Sequence, residues 1–168
     1  MRAAVLSVAF TACAYSPGSF SHFRHDFPGQ RTTVGCLDLA VQRRPDLTSG
    51  GTVLGYQFGN RCDRAATVDL ANATVIGRTV AGHEIKLAPY DPDDEIRPLQ
   101  IDGRAAGEEA IAYPSTIALA EVCVDASTVT HEGHPTWLCF ANNWLPEPPP
   151  PRDVSTQTAK LDATKETP

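Results

Sequence analysis

From residue 34 to residue 141 the apolar positions fall into short runs, some alternating with polar residues and some continuous, with no sustained helical spacing. The clearest alternation sets Leu37, Leu39 and Val41 against Cys36, Asp38, Ala40 and Gln42, so the two sets belong on opposite faces of one extended strand. One face is expected to be core and the other wet. Runs over residues 34–42, 52–58, 67–76, 84–88, 96–101, 109–113, 117–124 and 137–141 read as strands. Between them lie Ser49-Gly50-Gly51, Ala81-Gly82, residues 89–94, Asp102-Gly103 and Glu132-Gly133, all of which favour turns. Ala81-Gly82 separates two β-rich runs in the manner of a hairpin. Residues 104–112 have at most the makings of a short helical turn. Eight short strands at this spacing predict an all-β domain over residues 34–144, folded as an antiparallel β-sandwich.

The flanks have a different character. Residues 14–33 are rich in Ser, Gly, Pro, His and Arg with scattered Phe20, Phe23 and Phe27, and read as a flexible tether that touches the domain through those rings. After Trp144 comes Pro146-Glu147-Pro148-Pro149-Pro150-Pro151 and then a polar stretch to Pro168, so residues 145–168 read as a disordered Pro-rich tail acting as a spacer.

At the start, residues 1–13 carry Arg2, a short apolar segment and then Cys13, the layout of an export signal. Phe10-Thr11-Ala12-Cys13 is similar to a bacterial lipobox, whose cysteine is acylated and becomes the first mature residue. Ala12-Cys13-Ala14 is also an A-x-A site that an ordinary signal peptidase would cut, leaving a secreted or periplasmic soluble protein. A third reading makes the segment the buried first element of a cytosolic protein. Cysteine parity favours export: once Cys13 is consumed or removed, Cys36, Cys62, Cys123 and Cys139 remain, an even set suited to two disulfides. Four cysteines allow three connectivities. Cys36–Cys62 with Cys123–Cys139 is the expected one, since each pair joins neighbouring strands around a loop of modest length.

Charge then narrows the partners. Fourteen Lys and Arg stand against twenty Asp and Glu, a formal net charge of −6 with no basic cluster, which argues against nucleic acid as a partner. No apolar run approaches the roughly 18 residues of a spanning helix, so any membrane contact is expected through a lipid anchor.

Candidate chemistry is sparse. His22…His25 and His131…His134 are both His-x-x-His patterns, and imidazole is a ligand for Zn, Cu or Ni. An extracytoplasmic metal site would combine His131 and His134 with His83, Glu132 or Asp125; solvated loop histidines are the simpler reading. Asp91, Asp93, Asp94 and Glu95 crowd one loop but lack EF-hand spacing, and read as an acidic turn rather than a calcium site. No G-x-S-x-G frame or phosphate-cradling glycine loop occurs, so a small secreted hydrolase is the weakest alternative, without a recognisable site. Asn72-Ala73-Thr74 matches a glycosylation sequon but falls inside a predicted strand. Trp137 and Trp144 flank the last predicted strand and read as core residues; exposed, they would make a binding platform.

Cys13 in a lipobox-like setting, a polar tether and a cysteine-stapled β domain together resemble the small bacterial envelope lipoproteins that carry an immunoglobulin-like sandwich. The resemblance implies an immunoglobulin-like antiparallel β-sandwich held to a membrane through Cys13. It further implies a non-catalytic binding or structural role, with an envelope protein or glycan as partner and no cofactor. It supplies no catalytic residue.

Overall fold

A computed structural model of the chain describes residues 14–22, 25–45 and 51–141. Cys13, Phe23, Trp144 and the tail expected over 145–168 lie outside these residues. Within them the chain forms β1 (Ser21–His22), β2 (His25–Asp26), β3 (Gln30–Val34), β4 (Leu37–Pro45), β5 (Thr52–Asn60), β6 (Ala66–Val68), β7 (Thr74–Thr79), β8 (Glu84–Leu87), β9 (Leu99–Ile101), β10 (Ala106–Tyr113), β11 (Leu119–Asp125), α1 (Ala126–Thr130) and β12 (Trp137–Ala141). Two four-stranded sheets, ordered β10-β5-β4-β3 and β12-β11-β7-β8, carry the fold, with two-stranded ribbons β6-β9 and β1-β2 beside them. Every pairing is antiparallel. The expected all-β sandwich is the observed architecture.

Its core follows from strand periodicity. Leu37, Leu39 and Val41 of β4 and Leu54, Tyr56 and Phe58 of β5 point one way and meet Val75, Leu87, Leu119, Val122, Val124 and Leu138 of the other sheet, all of them buried. The Tyr56 and Tyr113 hydroxyls satisfy one another at 3.1 Å inside this core, as a buried hydroxyl requires. Burial comes first in raising the phenol pKa of both tyrosines, and for Tyr56 the neighbouring Tyr113 adds to it. Arg43 bridges the sheets from β4, donating to the Phe140 carbonyl at 3.0 Å and to Thr52 Oγ1 at 3.1 Å.

The expected disulfides are present: Cys36–Cys62 ties the β3–β4 turn to the segment after β5, and Cys123–Cys139 joins directly opposed positions on β11 and β12. Two such bonds mark a protein that matures in an oxidising, extracytoplasmic compartment.

Several elements differ from the sequence reading. The run over 34–42 is a hairpin rather than one strand: Val34 ends β3, Gly35 turns with φ +54°, and Leu37 opens β4. The run over 67–76 is broken by a turn in which Asn72 N–H donates to Asp69 Oδ1 at 3.2 Å. The sequon residue Asn72 is therefore exposed in that turn and not in a strand. Residues 104–112 form no helical turn, because most of them belong to β10. The helix among the described residues, α1, was hidden by its five-residue length. Asp125 caps it, accepting from Ser127 N–H at 3.0 Å and from Thr136 N–H at 2.9 Å. Trp137, expected in the core, is 44% exposed. The Ala81-Gly82 hairpin between β7 and β8 is as expected, with Gly82 at φ +82° and its N–H bonded to the Thr79 carbonyl at 2.9 Å.

The largest correction concerns the tether over residues 14–33. Its described residues fold onto the domain: Gln30–Val34 is the edge strand of the first sheet, and Tyr15 and Phe27 are each 2% exposed. The expected contact through aromatic rings is real for Phe27 and Phe20. What replaces a free tether is a strap held by a second, small core of Tyr15, Phe27 and Ala40.

Candidate functional site

The strap lies across the outer face of the first sheet, where register aligns Thr33, Asp38, Gly59 and Ala106 in one row and Arg31, Ala40, Gln57 and Glu108 in the next. The small residues among them let a second layer approach closely. A Cβ on Gly59 would collide with the Tyr15 ring, so that ring needs the glycine beneath it. Asp38 is fully buried there, contrary to the expected wet face. Its carboxylate accepts from Tyr15 Oη at 2.9 Å, Gly18 N–H at 2.6 Å and Thr33 Oγ1 at 2.7 Å, and Arg61 Nε stands 3.6 Å away. A buried carboxylate is tolerated only when met by several donors in this way. Tyr15 stacks on Phe27 with ring centroids 5.8 Å apart, and its N–H donates to the Arg104 carbonyl at 2.5 Å. Burial first, and Asp38 second, hold the Tyr15 phenol above its ordinary pKa.

This docking divides the sandwich into two ends. At the near end, Tyr15 meets the segments around Cys62 and Arg104, and α1 lies close by. At the far end are the β7–β8 hairpin, the loop before β11 and the loop after β8. Nine residues of β5 separate the ends by about 27 Å at the usual strand rise.

The far end carries exposed apolar side chains: Val80, Tyr90 and Ile117 are each more than half exposed, and the register of Thr79 with Leu119 brings Val80 and Ile117 onto the same edge. A cavity of about 670 Å³ lies there, lined by Leu87, Pro89, Tyr90, Pro92 and Ile117 among others. Beyond Tyr90 it continues into a groove of about 570 Å³ between β10 and the acidic loop, whose walls include Leu70, Arg97, Glu109 and Ile111. Grouped exposed apolar side chains beside a concave surface are the usual mark of a recognition site.

The candidate ligands of the sequence fare unequally. His83 closes the β7–β8 hairpin at the far end, whereas His131 follows α1 at the near end, where its Nε2 lies 3.2 Å from Asp69 Oδ2. The length of β7 keeps them apart, so a site built from His83, His131 and His134 does not assemble. Asp125 is occupied as the helix cap, and His134 is exposed. In the acidic loop, Asp91 accepts from the N–H groups of Glu95 at 2.6 Å and Ile96 at 3.2 Å, so its carboxylate shapes the turn. Among the described residues, only Glu121, Cys123 and Cys139 already bring three ligating atoms together, and there the disulfide occupies both sulfurs. The strap and Asp38, missed as a site of interest, had one signal in the sequence, an aspartate alternating with aliphatic residues.

No protein-family model and no curated protein matches the chain. Among solved structures, the yjhA protein from Bacillus subtilis is similar at a TM-score of 0.43 and 7% identity, over 61% of this chain and 82% of that one. A likeness so slight transfers neither a fold nor a function.

Proposed function

We propose that the protein is an exported envelope lipoprotein, acylated at Cys13, that acts as a non-catalytic binding or structural module. The observation that carries this reading is the cysteine pairing: four of the five cysteines close two disulfides, leaving Cys13, at the end of the apolar leader, for processing. Tyr15 follows two residues later, so a lipid on Cys13 would start within about 7 Å of the near end. The near end then rests at the bilayer, and the far end, with Val80, Tyr90 and Ile117, is presented about 27 Å outward to an envelope protein or glycan. Stable retention needs more than one acyl chain.

Metabolic labelling with a clickable fatty acid tests the anchor. Wild type is expected to take up label and Cys13→Ala to lose it; equal labelling of the two removes the reading.

A further inference from the structure

β10 is an edge strand, and among the described residues no strand pairs with its outer side. Its register with β5 fixes which backbone groups face that way. Asn60 N–H donates to the Ala105 carbonyl at 2.8 Å, and the pairing runs without a shift from Ala106 opposite Gly59 to Tyr113 opposite Thr52. Bonded positions alternate along an antiparallel ladder, so the odd-numbered residues bond β5, and Ala106, Glu108, Ala110 and Ala112 turn N–H and C=O away from it. The chain itself uses one of these groups: Tyr90 N–H donates to the Ala112 carbonyl at 2.8 Å. Beyond Tyr90 the chain is led off by the turn that Asp91 closes on Glu95 and Ile96.

The groove of about 570 Å³ opens at this point, running along residues 109–112 with Ile96, Leu99 and Ile111 among its apolar walls. Glu108, Glu109 and Ala110 beside it are all exposed. Outward N–H and C=O groups next to a groove for side chains are the geometry that accepts an added strand. Charge selects the occupant. Glu109, Asp93 and Glu95 border the groove, while Arg97 on the same wall is engaged by Asp94 Oδ1 at 3.2 Å. A second copy docking through its own β10, centred on these residues, would set Glu108 and Glu109 against their counterparts, and like charges across a strand pair are destabilising. An extended segment with Lys or Arg opposite Glu109 and apolar residues beside Ile96 and Leu99 meets both walls favourably.

We infer that the outer edge of β10, with the groove between it and residues 90–97, binds an extended cationic segment of a partner protein by strand addition. This deepens the binding role proposed above, on which it rests, and makes the partner a polypeptide. The added strand lies about 4.8 Å from β10 and exchanges backbone bonds with Glu108 and Ala110. Glu109 Oε1, which accepts from Ala110 N–H at 3.0 Å, gives up that bond to an incoming ammonium or guanidinium group. Backbone bonds supply affinity, and the carboxylates supply the preference for positive charge.

The test titrates the full chain, disulfides intact and Cys13→Ser, with a short, end-blocked peptide of alternating lysine and valine, read by calorimetry and by amide chemical shifts. One saturable equivalent is expected, with shifts gathered in residues 90–97 and 108–112. Glu109→Lys and Ala110→Pro should each weaken it at least about tenfold. Ala110→Pro removes an outward N–H that takes no part in bonding β5, so the ladder stays whole, and thermal denaturation checks it. Two comparison peptides, one N-methylated on alternate residues and one with glutamate in place of lysine, are expected to bind at least about tenfold more weakly. No saturable binding, equal binding of either comparison peptide, indifference to both substitutions, or shifts confined to other residues overturns the assignment. So does self-association abolished by Ala110→Pro, which would make a second copy the occupant, or a response of these amides to soluble glycan fragments and not to the peptide. Because the titrated chain carries no lipid, its failure leaves the anchor at Cys13 standing, and failure of fatty-acid labelling leaves the strand site standing.

Discussion

The two faces of the β10-β5-β4-β3 sheet are covered by opposite means, the inner one by the second sheet and part of the outer one by the strap. Its inner face is aliphatic and aromatic, and Leu37, Leu39, Val41, Leu54 and Phe58 meet the second sheet by removing apolar area from water, each contributing about 1.5–3 kcal/mol. Its outer face presents Ala40, Gly59, Ala106 and a carboxylate, and is covered by a strap held through directed hydrogen bonds to Asp38. Apolar contact is indifferent to small rotations, so the inner face tolerates conservative repacking. The outer face depends on one geometry, which makes it the more easily undone of the two.

The comparison is sharpened first by Phe58→Ala, which empties the inner core and should cost about 3–5 kcal/mol in denaturant unfolding. A loss below 1 kcal/mol would show that the sheets do not pack as described. Opening Cys36–Cys62 by a double Cys→Ala change should cost about 3 kcal/mol, chiefly through the unfolded chain. Asp38→Ala strands the Tyr15 hydroxyl, the Gly18 N–H and the Thr33 hydroxyl, and an effect of about 2 kcal/mol is expected. Its signature is faster amide exchange across residues 15–27, with protection of β5 and β11 retained. Uniformly raised exchange would mean that the two faces are one cooperative unit. Gly59→Ala should unseat Tyr15 for about 1–2 kcal/mol with the same local signature, and an unchanged Tyr15 environment would contradict the docking.

The smallest effect is alkaline. Tyr15, Tyr56 and Tyr113 all have phenol pKa values raised in the fold, so the unfolded chain gives up these protons first, at about pH 10. The stability they contribute is complete below that pH and falls as pH rises above it. Tyr15→Phe should flatten the strap's share of this decline while leaving the core's share, as followed by tyrosinate absorbance and amide exchange together.

How far the sequence reached can be seen strand by strand. β5, β8 and β12 were legible because each carries its own alternation or apolar run beside turn residues. Of the three connectivities that four cysteines allow, the expected one is the one the fold adopts, but the choice among them was made by the tertiary structure. β3 was not, since Gln30-Arg31-Thr32-Thr33 is an exposed edge whose residues show no apolar period. The 67–76 run misled because its turn includes Leu70 and Ala73, which are buried and so resemble strand residues. Of the candidate ligands, spacing could not show that β7 sets His83 at the opposite end of the domain from His131.

By itself, then, the sequence determined the class of fold, the inner core of the first sheet and an even set of four cysteines after Cys13, because these follow from local period and from a count of residues. Only the tertiary structure decided which cysteines pair, that Asp38 is buried, and that the described residues of 14–33 clasp the sheet. Each of these depends on which surface a distant segment comes to cover, and a strand's alternation says only that two faces differ. It does not say whether water or protein meets the second one.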